Sequence, residues 1–246
     1  MSLLGLQRVG SGPVLVWLHG FTQTKDSAHQ FLSILAGTHE LLTIDLPGHG
    51  LNASISASLE ETADLLVNVL PKEPFILGGY SYGGRVALHV AQRHPQRVAR
   101  LIVLSATLGI RDRVERKERR ERDEQLADRI EEIGVKAFLD EWLAQPMFAS
   151  LPHDARERRA RSHEAKGLAT SLRTSGTGTQ AWLGNALSSF DSPALVIAGA
   201  EDKQFVIEAR RIQDALANAA SGFVAHAGHA AHLERPNLVG ELVNDI

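Results

Sequence analysis

Residues 78–84, GGYSYGG, carry the sharpest chemical signal in the chain. They hold a G-x-S-x-G pattern, Gly79 to Gly83, between the apolar run PFIL and a helical stretch from Arg85 to His94. A serine on a tight strand-to-helix turn lifts its hydroxyl above the sheet edge, and the helix N-terminus behind it favours negative charge as it develops. The hydroxyl of Ser81 becomes a nucleophile or a base only when an imidazole takes its proton, and that imidazole needs a carboxylate to hold its tautomer. In this setting the expected chain order is serine, acid, histidine, each at the C-terminal end of a strand. Asp202, directly after ALVIAGAE, fills the acid position, with Glu201 as a competitor; Asp191 stands at the wrong end of that strand. His229, directly after GFVAHAG, fills the third position.

His229 is the middle histidine of HAGHAAH, 226–232, and three imidazoles in seven residues could also supply a zinc shell. Gly228 breaks the helix that such spacing would need and no acidic cluster adds a fourth ligand, so the stretch is read as one base with two packed or partly exposed neighbours, and no metal is expected. Chemistry that builds charge on oxygen needs two backbone N–H groups aimed at it. Tyr82, following the serine, is one candidate donor. Phe21, in LHGF after the strand VLVW, is the other, with His19 holding that loop. Asp45 to Gly50, DLPGHG, reads as a rigid turn in which His49 shapes the loop. The chain has neither G-x-x-x-x-G-K-[ST] nor G-x-G-x-x-G, so no nucleotide cofactor is expected.

These residues need a frame. Short apolar runs at 13–20, 40–50, 74–79, 98–106, 192–202 and 222–228 have the continuous hydrophobicity of buried parallel strands. Helical spacing lies between several of them, at Leu59–Leu70, Arg85–His94 and Ile207–Asn218, and a last helix follows from Asn237. The alternation predicts an α/β fold with a mostly parallel central sheet flanked by helices. From Arg111 to about Arg173 the strand-like runs stop and the chain reads as charged helix. This divides it into a core of residues 1–107 and 181–246 and a helical cap inserted at 108–180, in which Thr174–Thr179, TSGTGT, is the most linker-like stretch. A length of 246 residues with 43% hydrophobic content suffices for one such core. There are no cysteines, hence no thiol nucleophile, and no apolar run approaches the roughly 20 residues that span a bilayer. A net charge of −3 gives no reason to expect nucleic acid. A cytoplasmic monomer or weak homo-oligomer is the expectation.

The cap departs from that mild overall charge. Between Arg111 and Arg122 seven basic residues face four acidic ones, and a second basic group follows at Arg156, Arg158, Arg159, Arg161, Lys166 and Arg173. Most of this is expected to be solvated helix with ion pairs four residues apart. Inward arginines would nevertheless bind carboxylates bidentately, and Arg85, one turn after Ser81, could join them. The expected ligand is a small anionic molecule, because a lid over lipid would show an apolar face.

The stretches LVWLHGFTQ, TIDLPGHG, GYSYGGRVALHVA, WLAQPMFASL, KGLATSLRTSGTGTQ, AGAEDKQF and AGHAAHLERP together resemble the 2-succinyl-6-hydroxy-2,4-cyclohexadiene-1-carboxylate synthases of menaquinone biosynthesis, which have the α/β-hydrolase fold. The resemblance covers essentially the whole chain. It implies a lyase that expels pyruvate from an enolpyruvyl, succinyl-bearing cyclohexene carboxylate, a substrate with three carboxylates. It further implies that Ser81, activated by His229 and Asp202, removes a ring proton, with Phe21 and Tyr82 stabilising the enolate. It suggests Tyr80, Arg85, Arg119, Trp142 and Phe148 as substrate contacts, and for a further cap arginine Arg161, with Arg159 as the alternative. A serine carboxylesterase or C–C bond hydrolase acting on an anionic substrate shares the same machinery and is the alternative activity.

Overall fold

The computed structural model describes residues 2–162 and 164–245, with the side chains of residues 155 and 156 outside the described set, so the expectation for Arg156 lies outside it. Among the described residues seven strands form one sheet: β1 (Gln7–Val9), β2 (Val14–Leu18), β3 (Glu40–Thr43), β4 (Phe75–Tyr80), β5 (Val98–Leu104), β6 (Ala194–Gly199) and β7 (Ala219–Val224). Their spatial order is β1-β3-β2-β4-β5-β6-β7; β1 pairs antiparallel with β3 and every other pairing is parallel. Because β3 and β4 lie on opposite sides of β2, the strand order reverses there. In open sheets of this kind ligands bind at such a reversal, beyond the carboxyl ends of the strands.

The period of two along β2 explains why both faces are covered. Val16 and Leu18 join one apolar cluster with α2 (Leu59–Val69), α3 (Tyr82–Arg93) and α7 (Lys203–Ala215). Leu15 and Trp17 join the other, with α1 (His29–Ala36) and α8 (Pro236–Asn244). A strand buried on both faces has no polar alternation, which is why these strands read as unbroken apolar runs.

Between β5 and β6 the chain forms α4 (Arg113–Leu143), α5 (Ala155–Arg159) and α6 (Ala165–Ser175). Asp112 caps α4 by accepting from Val114 and Glu115 N–H. The helix is interrupted at Gly134, whose φ of 75° lies where only glycine sits without strain. α4 and α6 enclose a separate apolar cluster of Ala127, Ile130, Phe138, Leu139, Leu168 and Leu172, against which Phe21 and Trp142 pack. No helix among the described residues is long and apolar enough to cross a membrane.

Two expectations change. TSGTGT is not a linker: its first two residues end α6, Ser175 and Thr177 are buried, and Gly178 N–H donates to Asp123 Oδ2 at 2.9 Å. The last strand is shifted toward the N-terminus, spanning 219–224 rather than 222–228. His226, with φ 55°, turns the chain out of the sheet.

Candidate active site

Ser81 sits between β4 and α3 with φ 51° and ψ −106°, a strained conformation for a residue with a side chain. Its N–H is fixed to Leu104 O at 2.8 Å, on the neighbouring strand. The flanking glycines are a packing requirement. A Cβ on Gly79 would run into the backbone of Gly83, and one on Gly83 into the Leu18 and His19 carbonyls.

His229 is delivered by the loop after β7 and Asp202 by the end of β6, where it also caps α7 through Phe205 N–H at 3.2 Å. His229 Nδ1–H donates to Asp202 Oδ2 at 2.9 Å, and its Nε2 faces Ser81 Oγ at 3.2 Å. The three groups thus form one hydrogen-bonded chain with the imidazole tautomer set by the carboxylate. Of the two acids offered by the sequence, Asp202 reaches His229; Glu201 lies out near His226, at 3.7 Å. The three histidines of HAGHAAH part company: His226 is 83% exposed, His229 joins Ser81, and His232 is buried among Trp17, Phe31 and Tyr80.

The loop after β2 approaches Ser81 from the other side. His19 Nδ1–H donates to Gly20 O, and its Nε2 accepts Leu46 N–H, both at 2.9 Å. His49 accepts Thr22 N–H at 3.3 Å and stacks on Tyr82. Burial holds His19 at about 4 and His49 at about 3, so both are neutral near neutral pH and act as loop supports. Gly20 N–H is taken by Gln23 Oε1 at 2.8 Å. Among the described residues Phe21 N–H, between these two satisfied amides, has no protein acceptor, and neither has Tyr82 N–H. Two open N–H groups on residues that line one cleft with Ser81 are suited to an oxygen that gains charge during reaction.

Ser81 and His229 open into a cleft of about 1810 Å³ between the sheet and the α4–α6 segment. Tyr80, Arg85, Arg119, Trp142 and Phe148, all expected as substrate contacts, line it. Trp142 packs against Phe21 and Phe148, and Phe148 meets His229 edge-on, so the helical segment presents an aromatic wall to the catalytic side. Arg85 is buried, yet both its acceptors, Ser175 O at 2.8 Å and Gln180 Oε1 at 3.5 Å, are neutral. Burial, and then the positive charge of Arg119, push its pKa down to about 10, so it remains charged at neutral pH, and among the described residues it forms no ion pair. Arg119 instead pairs with Asp123 at 2.8 Å.

Arg161 is not part of the cleft wall. It lies buried behind the Phe21 loop, donates to Thr22 Oγ1 at 2.8 Å and stands 3.8 Å from Glu157. Its alternative, Arg159, is exposed and is likewise absent from the lining. Phe205, 4.4 Å from the His229 ring, and Gln180, beside Arg85, were given no role by the sequence reading although both lie in stretches it singled out. Their signal was adjacency to Asp202 and to TSGTGT.

Three side chains converging from three strand ends, at the point where strand order reverses, define an α/β hydrolase, and residues 15–242 match the alpha/beta hydrolase family. The chain is 35% identical to a candidate 2-succinyl-6-hydroxy-2,4-cyclohexadiene-1-carboxylate synthase of Bacillus subtilis, over 94% of this chain and 89% of that one. It is 33% identical to the 2-succinyl-6-hydroxy-2,4-cyclohexadiene-1-carboxylate synthase of Yersinia pseudotuberculosis, over 92% and 84%. The solved structure of MenH from S. aureus matches with a TM-score of 0.91 at 29% identity, covering all of this chain and 97% of that one. Within the α/β hydrolases the chain belongs to this synthase family.

Proposed function

We propose that the protein is a lyase that eliminates pyruvate from an enolpyruvyl, succinyl-bearing cyclohexene carboxylate, giving 2-succinyl-6-hydroxy-2,4-cyclohexadiene-1-carboxylate. Ser81, with its proton drawn toward His229 Nε2, removes the ring proton α to the succinyl carbonyl. The electron pair moves onto that carbonyl oxygen, which Phe21 and Tyr82 N–H receive. Collapse of the enolate through the ring double bond breaks the C–O bond to the enolpyruvyl group. The departing oxygen leaves as the enolate of pyruvate and is reprotonated on carbon. Asp202 holds His229 in the tautomer that accepts at Nε2 and stabilises the imidazolium. No acyl-enzyme forms.

The observation that carries the choice of substrate class is Arg85: a charged guanidinium, buried in the cleft, whose two protein acceptors are neutral. Burying a charge without a counter-charge is costly, and a substrate carboxylate removes that cost on binding. Arg119, which meets Asp123 through its Nε at 2.8 Å, serves a second carboxylate. The same serine, histidine and open amides could cleave an ester, so the assay offers both reactions. Purified protein is given the enolpyruvyl substrate and, separately, a neutral aryl ester. Release of pyruvate at a rate well above ester cleavage supports the lyase. Rapid ester cleavage with no pyruvate assigns the protein to ester hydrolysis instead.

A further inference from the structure

The Phe21 loop is held from behind by a buried acid that belongs to the helical segment. Thr22 has φ 69°, a left-handed conformation that a β-branched residue adopts only when its surroundings hold it there. Gln23 closes the turn: its Oε1 accepts Gly20 N–H at 2.8 Å while its Nε2 donates to Glu157 Oε1 at 3.4 Å. The other oxygen of Glu157 accepts Ala28 N–H at 2.6 Å. On the next turn Arg161 donates to Thr22 Oγ1, and Ser162 N–H donates to Thr22 O, each at 2.8 Å. Glu157, Arg161, Gln23 and Thr22 are all buried, so these bonds are made in a low-dielectric interior where a missing partner is expensive.

The donor and acceptor chemistry leaves one solution. A backbone N–H at Gly20 can only donate and a carboxylate at Glu157 can only accept. The Gln23 amide must therefore face its nitrogen to Glu157 and its oxygen to Gly20. That orientation fixes the peptide just before Phe21. We propose that Glu157 is a positioning residue for catalysis: acting through Gln23 on one side and Ala28 on the other, it aims Phe21 N–H at the oxygen that gains charge. This rests on the reading of Phe21 as an oxyanion donor given above, and makes the helical segment part of the catalytic apparatus as well as its roof.

The test uses an exchange of chemistry. Glu157→Gln has one acceptor for two donors, so either Gln23 or Ala28 loses its partner. In Gln23→Glu/Glu157→Gln these hydrogen bonds are matched again: Gln at 157 accepts Ala28 N–H and donates to Glu at 23, whose second oxygen accepts Gly20 N–H, while Arg161 keeps its bond to Thr22 Oγ1. Two rates are read on the full chain. One is pyruvate release. The other is inactivation by a fluorophosphonate, in which Ser81 Oγ bonds phosphorus, fluoride leaves, the proton passes to His229 and charge builds on the phosphoryl oxygen.

For Glu157→Gln we expect kcat and the inactivation rate to fall about 10- to 100-fold, short of or equal to losing one oxyanion donor outright, with KM changed less than about 3-fold. The double variant recovers most of both rates. Gln23→Ala, which removes the relay and leaves Glu157 in place, loses rate as Glu157→Gln does and carries the test should the latter fail to fold. Unchanged kcat in the single variants, a change confined to KM, or a folded double variant that recovers nothing would each overturn the proposal. A parent protein that releases no pyruvate would refute the elimination, while the inactivation rates would still decide the role of Glu157.

Discussion

On the sheet side of the cleft each functional group is fixed within the core: Ser81 by a strained turn between β4 and α3, Asp202 by its place at the start of α7, and His229 by its bond to the Asp202 side chain. The helical side has far more charge and turns only part of it to the cleft, through Arg111, Arg113, Glu115, Glu118, Arg119 and Arg122. Arg173 bridges Glu124, Asp128 and Glu131, and Arg129 bridges Glu132 and Glu141, on surfaces where the partners are largely exposed. The buried arginine of the cleft wall, Arg85, has no carboxylate partner among the described residues and belongs to α3 of the core. The difference teaches that charge density and function are separate properties. An arginine matters when burial leaves its charge unanswered.

Five substitutions would break or sharpen this contrast, the first three in descending order of their effect on turnover. Asp202→Asn keeps an Asn at the start of α7, which still caps, but lets the His229 tautomer reverse; kcat for pyruvate release should fall roughly 10³- to 10⁴-fold with little change in melting temperature. A loss below about 10-fold would mean that the carboxylate does not set the imidazole. Arg85→Ala should lower kcat/KM for the carboxylated substrate about 100-fold, the scale of one buried charge-assisted pair, and Arg119→Ala about 10-fold because Asp123 already shares its charge. Cleavage of a neutral aryl ester is the control, and equal losses on both substrates would remove the carboxylate clamp from the account.

His232 probes the sheet side through pH. It is buried, neither ring nitrogen has a hydrogen-bond partner among the described residues, and burial pushes its pKa to about 3. The folded value lies below the unfolded one, so the unfolded chain takes up the extra proton and stability falls as pH drops from about 6.5 toward about 3. His232→Leu should therefore gain about 2 kcal/mol relative to the parent between pH 7.5 and pH 5, read by urea unfolding at both values. Parallel stability curves would contradict the burial argument. Arg173→Ala, on the exposed network, should cost about 1 kcal/mol or less and leave kcat/KM unchanged.

The sequence reveals the features that local chemistry dictates. β2, β4, β5 and β6 are readable because strands covered on both faces must be apolar throughout, and Ser81 and Asp202 because each follows such a run; His229 is readable from its place after GFVAHAG. β1 was missed: its three residues are exposed and pair only at the sheet edge. α1 was missed because Ala28, the residue before its first turn, offers no side-chain cap, after a polar stretch that reads as loop. The start of β7, Ala219-Ala220-Ser221, carries too little apolar signal to count as strand. Glu157 shows the limit most clearly. In a run dense with Arg and Glu it reads as one more solvated charge, and only partners more than 100 residues away, Gln23 and Ala28, turn it into a buried acceptor. Arg161 misleads for the same reason, since its partner Thr22 is equally remote.

The most direct test of the account is single-turnover pyruvate release from the enolpyruvyl substrate by the parent and by Ser81→Ala, compared at equal, saturating protein. The parent should release one equivalent of pyruvate per substrate, and Ser81→Ala should do so at least about 10³-fold more slowly while still binding the substrate. Release by Ser81→Ala at the parent's rate would show that the proton leaves the ring by some other hand, and the account would fail at its centre.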